Sequence, residues 1–270
     1  MPELPEVETS CAGIRPHCLN QKISHLIVRQ PKLRWPVDPL LPALVKNHTI
    51  KSVSRRGKYI LLEVADGEIM IHLGMSGSLR VLLKDVAVTK HDHIDIVLGN
   101  GKIIRYNDPR RFGSFIYNLE GARHKLLSKL GPEPLSDDFN TDYLYRIARS
   151  RKVAVKTLIM NSHVVVGVGN IYAQEALFRA GIKPQRAANK VTKVNVERLT
   201  DSIKHILQEA IKAGGSSLKD FTAADGKPGY FQHAHQVYAR NGEACNQCGT
   251  ALKQLLIGQR TSVHCTQCQS

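Results

Sequence analysis

The stretch KYILLEVADGEIMIHLGM, residues 58–75, decides what kind of fold this chain adopts. Two runs rich in Ile, Leu, Val and Met flank Asp66-Gly67. Asp-Gly between apolar runs is a strong hairpin signal, because glycine accepts positive φ without steric cost. The stretch therefore reads as two antiparallel strands. The pattern repeats outward: KISHLIVR (22–29) and TIKSVSRR (49–56) precede it, and HIDIVL (93–98) and KIIRYN (102–107), joined at Asn100-Gly101, follow. Short β-rich runs in such succession predict an antiparallel sheet domain, a sandwich.

Helical patterns flank this region. Leu4, Val7, Cys11, Ile14 and Cys18 recur at intervals of three and four, one face of a helix laid against the sheet. Pro5 is tolerated in its first turn, whereas Pro16 kinks or ends it. Cys11 and Cys18 read as core residues. Downstream, GPEPLSDDFN (131–140) has the Pro, Asp and Gly content of a linker. Beyond it, NIYAQEALFRAGI (170–182), closed by Gly181, and the series Leu199, Ile203, Ile206, Leu207, Ala210, Ile211 predict helices. GGSSLKDFTAADGKPGY (214–230) reads as an exposed, mobile loop. The expected class is α+β: an N-terminal antiparallel β-sandwich flanked by helices (1–130), a linker (131–140), a helical domain (141–235) and a C-terminal cysteine-bearing segment (236–270).

The 270 residues carry 38 Lys and Arg against 23 Asp and Glu, a net charge of +15. That excess points to a polyanionic partner. No apolar run approaches the ~20 residues that span a bilayer, and no lipidation signal is visible, so nucleic acid is favoured over a membrane. The opening MPELPEVETS lacks a basic region and an apolar stretch, unlike a secretory signal. A reducing, cytoplasmic compartment is expected, and disulfides explain the cysteines poorly.

Four of the six cysteines lie in the last 26 residues: Cys245-x2-Cys248, sixteen residues, then Cys265-x2-Cys268. This is the spacing of a four-thiolate zinc ribbon, an iron–sulfur cluster or redox dithiol being the other chemistries such a set allows. Four thiolates fill a tetrahedral zinc, which then holds structure and does not activate water. The ribbon supports a β-hairpin whose tip falls near Ile257–Thr261, with Arg260 placed for phosphates or simply solvated.

With proline at position 2, removal of Met1 is expected and leaves a secondary amine. Attack of such an amine on an aldehyde-like carbon gives an obligatorily cationic iminium, an electron sink for elimination. An α-amino group has a reference pKa of about 7.7–8.0, so part of it is unprotonated near neutrality. Glu3 beside it could act as acid or base. On spacing alone, Pro-Glu-x-Pro-Glu is also an ordinary acidic helix start.

The opening PELPEVET resembles the N-terminus of the formamidopyrimidine-DNA glycosylase family, which includes endonuclease VIII. The likeness runs through RRGKYILLE (55–63), IHLGMSGSLR (71–80), KHDHID (90–95), YNDPRRFG (106–113), LGPEPLSDDF (130–139), VVGVGNIYAQEALF (165–178), SLKDF (217–221), DGKPGYF (225–231) and the cysteine ribbon with GQRTS (258–262). The resemblance implies that the helical domain is a helix-two-turns-helix, with a lesion loop near 214–228. It implies a bifunctional glycosylase/abasic-site lyase that excises 8-oxoguanine opposite cytosine and formamidopyrimidines, then cuts the strand by β,δ-elimination. Pro2 corresponds to the Schiff-base nucleophile, Glu3 to the proton donor in base loss, Lys58 to the acid in β-elimination and Arg260 to the δ-elimination and phosphate residue.

Met75, Arg110 and Phe112 match the family's void-filling triad. Separately, Met75 and Phe112 could be core and Arg110-Arg111 a solvated pair. His72, His91, Arg151 and Asn170 match DNA-backbone contacts, and Lys219 the lesion loop. His91-x-His93 alone reads as a strand edge. Glu175 buttresses the site, and Glu6 is a positioning residue or a second acid/base. Ser262-Val263-His264 departs from relatives that carry aromatics there, which would soften the hairpin packing. The implied cofactor is one structural zinc on Cys245, Cys248, Cys265 and Cys268, with no redox or nucleotide cofactor. The implied partner is damaged double-stranded DNA, bound by a monomer at the bacterial nucleoid. An endonuclease VIII-like enzyme for oxidised pyrimidines is the nearest alternative, against which Leu4, Met75, Arg110 and Phe112 argue. A non-catalytic zinc-ribbon nucleic-acid-binding protein is another.

Overall fold

The computed structural model describes residues 1–83, 86–119, 124–216 and 235–270. These fall into two compact units, one holding Met1–Ser128 with 213–216, the other Lys129–Lys212 with 235–270.

The first unit opens with α1 (Leu4–Cys18), which has Pro5 in its first turn and ends two residues after Pro16. The stripe Leu4, Val7, Cys11, Ile14 and Cys18 is buried, each at 1 % exposure or less. Burial pushes both thiols up to about 12, so they are inert core groups. Then follow β1 (Ile23–Val28), α2 (Leu41–Val45), β2 (Ile50–Arg56), β3 (Tyr59–Val64), β4 (Gly67–His72), β5 (Ser78–Leu82), β6 (Asp92–Leu98), β7 (Ile103–Asn107), β8 (Ser114–Leu119) and the short α3 (Lys125–Ser128). They form two four-stranded antiparallel sheets, ordered β1-β6-β7-β5 and β2-β3-β4-β8.

Residues 58–75 form the expected hairpin, with Tyr59 opposite His72 and Val64 opposite Gly67. Its turn lies one residue earlier than Asp66-Gly67 suggests. Ala65 takes the positive φ of 54°, and Gly67 is already in the ladder, paired also with Leu119. Strands β5 and β8 carry weaker patterns, SLRVL and SFIYNL, and exist because β7 and β4 offer them edges. Ile23, Ile50, Ile60, Leu62, Ile69, Ile94 and Phe115, all fully buried, belong to the core cluster that includes α1 residues. Each such side chain contributes roughly 1.5–3 kcal/mol on burial.

The second unit contains α4 (Thr141–Arg149), α5 (Val155–Ile159), α6 (Asn170–Arg179), α7 (Lys193–Lys212) and a hairpin of β9 (Lys253–Ile257) with β10 (Arg260–His264). Asn140 caps α4 by accepting the Tyr143 amide at 3.0 Å. The long α7 buries the predicted stripe of Leu199, Ile203, Ile206, Leu207 and Ala210 and packs on α6. Phe178 of α6 shares a small core with Val237, Cys245, Leu252, Val263 and Cys265, so the ribbon is built onto that helix. No described helix is long and apolar enough to cross a membrane.

Candidate active site and metal centre

Pro2 and Glu3 lie directly before α1, both buried, with Met1 37 % exposed beyond them. Glu3 is the N-cap residue, extended at φ −102° and ψ −171°. The Glu6 carboxylate reaches back and accepts the Glu3 amide at 2.8 Å with Oε2, the return arm of a capping box. Its other oxygen, Oε1, accepts the amide of Ser216 at 2.8 Å. Glu6, fully buried, thus gives one oxygen to each of two backbone amides.

Helix α1 runs beside β2 through a series of contacts. Arg15 donates to the Val53 carbonyl, Cys11 Sγ to that of Ser54, and Arg55 Nε to Glu8 at 2.8 Å. The helix start therefore approaches the Gly57-Lys58 turn that joins β2 to β3, and Arg55 also braces that turn by donating to the Gly57 carbonyl at 2.9 Å. Lys58 sits one residue before Tyr59, whose ring lies 5.0 Å from that of His72. Burial, with the Lys58 and Arg34 charges, drives the His72 pKa down to about 4. His72 Nδ1 accepts the Gly74 amide at 2.9 Å, so the neutral imidazole carries its proton on Nε2.

Met75, Arg110 and Phe112 belong to two turns in backbone contact. One follows β4 (His72–Met75); the other joins β7 to β8 (Asp108–Gly113). A Cβ on Gly74, which has φ +65°, would stand 2.5 Å from the Gly113 nitrogen and 2.6 Å from the Phe112 carbonyl carbon. A Cβ on Gly113 would overlap the Tyr106 hydroxyl and the His72 carbonyl. Only glycine permits either approach. Arg110 lies over the Phe112 ring at 4.8 Å, and Phe112 is 45 % exposed. Both line an open cavity of about 560 Å³ with Lys32, Arg34 and Arg111. Four cations around one exposed aromatic ring suit a phosphate backbone and an unstacked base. His91 is tied to the same place, its carbonyl accepting the Asp108 amide at 3.0 Å.

In the second unit Asn170 is the first residue of α6, after Gly169 at the N-cap. Lys156, only 1 % exposed, donates to Asn170 Oδ1 and to Ser262 Oγ at 2.6 Å each, and to the Thr261 carbonyl at 3.3 Å. Gln174 completes the link, donating to the Thr261 carbonyl and accepting the Val263 amide at 2.6 Å. These bonds join the α6 start to β10, whose first residue is the exposed Arg260. The turn before it is Gly258-Gln259, both at positive φ (54° and 61°) as a two-residue hairpin turn requires. Ser262, where a softened hairpin was expected, is instead fully buried and holds Lys156. Arg151 is exposed, between α4 and α5. Glu175, 4 % exposed, accepts the amides of Gln236, Val237 and Tyr238 at 2.8–3.0 Å, a buttress as its position suggested.

Cys245, Cys248, Cys265 and Cys268 place their sulfurs within 4.8 Å of one another. The pairs Cys245–Cys268 and Cys248–Cys265 are 3.9 and 3.4 Å apart, too far for disulfides. A tetrahedral ion with bonds of about 2.3 Å needs sulfurs about 3.8 Å apart, so the four cysteines can hold a metal.

Two family models match the chain: the formamidopyrimidine-DNA glycosylase N-terminal domain over residues 1–115 and the H2TH domain of the same enzymes over residues 130–222. The formamidopyrimidine-DNA glycosylase of Shewanella halifaxensis is 53 % identical over all 270 residues, covering 99 % of that protein, and that of Alcanivorax borkumensis is 52 % identical with full coverage of both. The chain belongs to the formamidopyrimidine-DNA glycosylase family. Among solved structures, the Thermus thermophilus family member superposes with a TM-score of 0.89 at 36 % identity, covering 99 % of this chain and 98 % of that one. The Lactococcus lactis enzyme bound to DNA containing N7-benzyl-Fapy-dG superposes at 0.93 with 33 % identity and full coverage of both.

Of the residues that the family likeness nominates, the first unit gathers His72, Met75, His91, Arg110 and Phe112 around two interlocked turns, with Lys58 one strand away. The second unit joins Asn170 to the Arg260 hairpin. Lys219 lies outside the described residues. Sequence reasoning missed Asp108, Lys156 and Gln174, although a lone lysine inside the apolar run VAVKTLI (153–159) was a usable signal of a buried, fully bonded cation.

Proposed function

We propose that this DNA glycosylase of base excision repair removes oxidised purines through the amine of Pro2, then opens the strand by β,δ-elimination. The observation that carries this reading is the placement of Pro2 and Glu3: buried, at the N-cap of α1, beside the turn that carries Lys58. While Met1 is attached, the Pro2 nitrogen is an amide without a nucleophilic lone pair. Once Met1 is removed, it is a secondary amine at the positive end of a helix, which favours its neutral form. The amine attacks C1′ as the glycosidic bond breaks, and Glu3 supplies the proton that the departing base takes up. The nitrogen then gives up its proton, O4′ takes one up as the C1′–O4′ bond opens, and the resulting open-chain iminium acidifies C2′. Loss of a C2′ proton expels the 3′ phosphate, and a second elimination expels the 5′ phosphate. Lys58 serves as acid in the first elimination and Arg260 attends the second.

Extrusion of the nucleotide leaves a gap in the stack. Met75 and Phe112 fill it, and Arg110 offers its guanidinium to the orphaned cytosine, while His72, His91, Arg151 and Asn170 hold the backbone and Lys219 serves the lesion loop. His72 does so as a neutral donor through Nε2. The four cysteines hold one structural zinc, which maintains the Arg260 hairpin and takes no part in the chemistry. The protein works as a monomer on duplex DNA, and the division at 1–130, 141–235 and 236–270 belongs to this reading.

The test is borohydride reduction in the presence of an 8-oxoguanine:cytosine duplex. Mature protein should be trapped on the DNA, and a variant with an extra residue before Pro2 should not. Equal trapping of both moves the nucleophile elsewhere, Lys58 first. Faster excision of thymine glycol than of 8-oxoguanine would overturn the purine assignment.

A further inference from the structure

Asp108 is fully buried and takes no part in the proposed base loss or eliminations. Its Oδ2 accepts the Gly113 amide at 2.8 Å and lies 3.1 Å from the Tyr106 hydroxyl. That hydroxyl is also 3.2 Å from the His72 carbonyl, so one phenolic proton is shared between the two turns. The Asp108 carbonyl accepts His93 Nε2 at 2.8 Å and the Arg111 amide at 3.2 Å, while its own amide donates to His91. The other carboxylate oxygen, Oδ1, is buried without a hydrogen-bond donor among the described residues. A buried carboxylate so placed must do something that a neutral, well-packed side chain could not.

We infer that Asp108 is the positioning residue for reading the base opposite the lesion: its carboxylate buckles the Asp108–Gly113 turn closed, and thereby fixes Arg110 and Phe112 against the His72–Met75 turn. The turn needs such a buckle. Arg111 sits in the left-handed region at φ +55°, a conformation that a non-glycine residue holds only when its surroundings enforce it. The Gly113 amide is held by Asp108, and Gly113 is the residue pressed against Gly74. One carboxylate therefore sets the registry of both turns. Burial and the Asp108 charge keep the Tyr106 phenol protonated far above its ordinary range, so its donor is always present. A guanidinium discriminates between bases only when its fork meets them in fixed geometry, which an unbuckled turn cannot supply.

This inference rests on the assignment of Arg110 to the orphaned base, and the experiment separates the two. Single-turnover excision of 8-oxoguanine is measured opposite cytosine and opposite adenine for wild type, Arg110→Ala, Asp108→Ala, Asp108→Asn and Tyr106→Phe. The ratio of the two rates is the readout, because partial unfolding lowers both rates alike and leaves the ratio untouched. Arg110→Ala and Asp108→Ala should each shrink the ratio about tenfold. Asp108→Asn keeps one acceptor for Gly113 and Tyr106 and should stay within about threefold of wild type, with Tyr106→Phe between the two. A wild-type ratio in Asp108→Ala, beside a reduced one in Arg110→Ala, overturns the inference. A wild-type ratio in Arg110→Ala overturns the assignment beneath it instead.

Discussion

Glu6 accepts the backbone amide of Ser216 at 2.8 Å, across 210 positions of sequence, with the oxygen it does not give to Glu3. One carboxylate thus fastens the chain at Ser216 to Glu3, directly before α1. A glutamine has one acceptor oxygen and would turn an N–H group toward one of the two amides. Glu6→Gln should slow borohydride trapping on a preformed abasic site by about tenfold or more and lower the Tm by several degrees. Trapping at the wild-type rate would mean that the Ser216 link is dispensable for placing Pro2.

Lys156 and Arg260 are both cations near the Asn170 end of α6, and they should differ in how they affect DNA binding. Lys156 donates to Asn170, Thr261 and Ser262. Lys156→Met would strand the buried Ser262 hydroxyl, at about 1–3 kcal/mol, along with the more exposed Asn170 and Thr261 oxygens, and should weaken duplex binding without changing its salt dependence. Arg260→Ala should lower the slope of log K against log salt by about one, as loss of a phosphate contact does. Fluorescence anisotropy across a salt series decides between the two behaviours.

Thiol chemistry should separate the six cysteines into two classes. With zinc bound, none should react quickly with a thiol reagent. Chelation should release one zinc per chain, expose Cys245, Cys248, Cys265 and Cys268 to reagent and abolish DNA binding. Cys11 and Cys18 should stay unreactive until the sandwich unfolds, because both are at 0 % exposure with thiols pushed to about 12. Six fast thiols after chelation would contradict the separate stability of the sandwich core.

The pH dependence of stability follows from His72. Its folded pKa of about 4 lies below the unfolded value near 6.5, so the unfolded chain takes up a proton first as pH falls. Its contribution is present above pH 6.5 and is lost progressively between there and 4. The Tm of wild type should drop from pH 7 to pH 4.5 by more than that of His72→Asn. Because His72 stays neutral from pH 5 to 8, the excision rate should show no inflection assignable to it in that range.

Much of this was legible in the residues. The period-two runs around 58–75 and the apolar stripe of α1 specify their own faces, because alternation and 3.6-residue spacing are local properties. The cysteine pairs read as candidate metal ligands because each Cys-x2-Cys turn is local too. The turn register at Ala65 and the strands β5 and β8 were not legible, since an edge strand forms where a partner edge is offered. The same applies to Asp108. In YNDPRRFG it reads as an ordinary Asp-Pro turn, and only the approach of Tyr106, His72 and Gly113 makes its carboxylate a buckle.

By itself, then, the sequence determined α1, the 58–75 hairpin, the pairing of the four cysteines and the family to which the chain belongs. The tertiary structure decided which buried polar groups tie distant segments together within each unit: Glu6 on Ser216, Asp108 on Gly113, Lys156 on Ser262. The physical reason is that a hydrogen bond between distant segments depends on where folding brings its donor and acceptor, and no spacing along the chain records that distance.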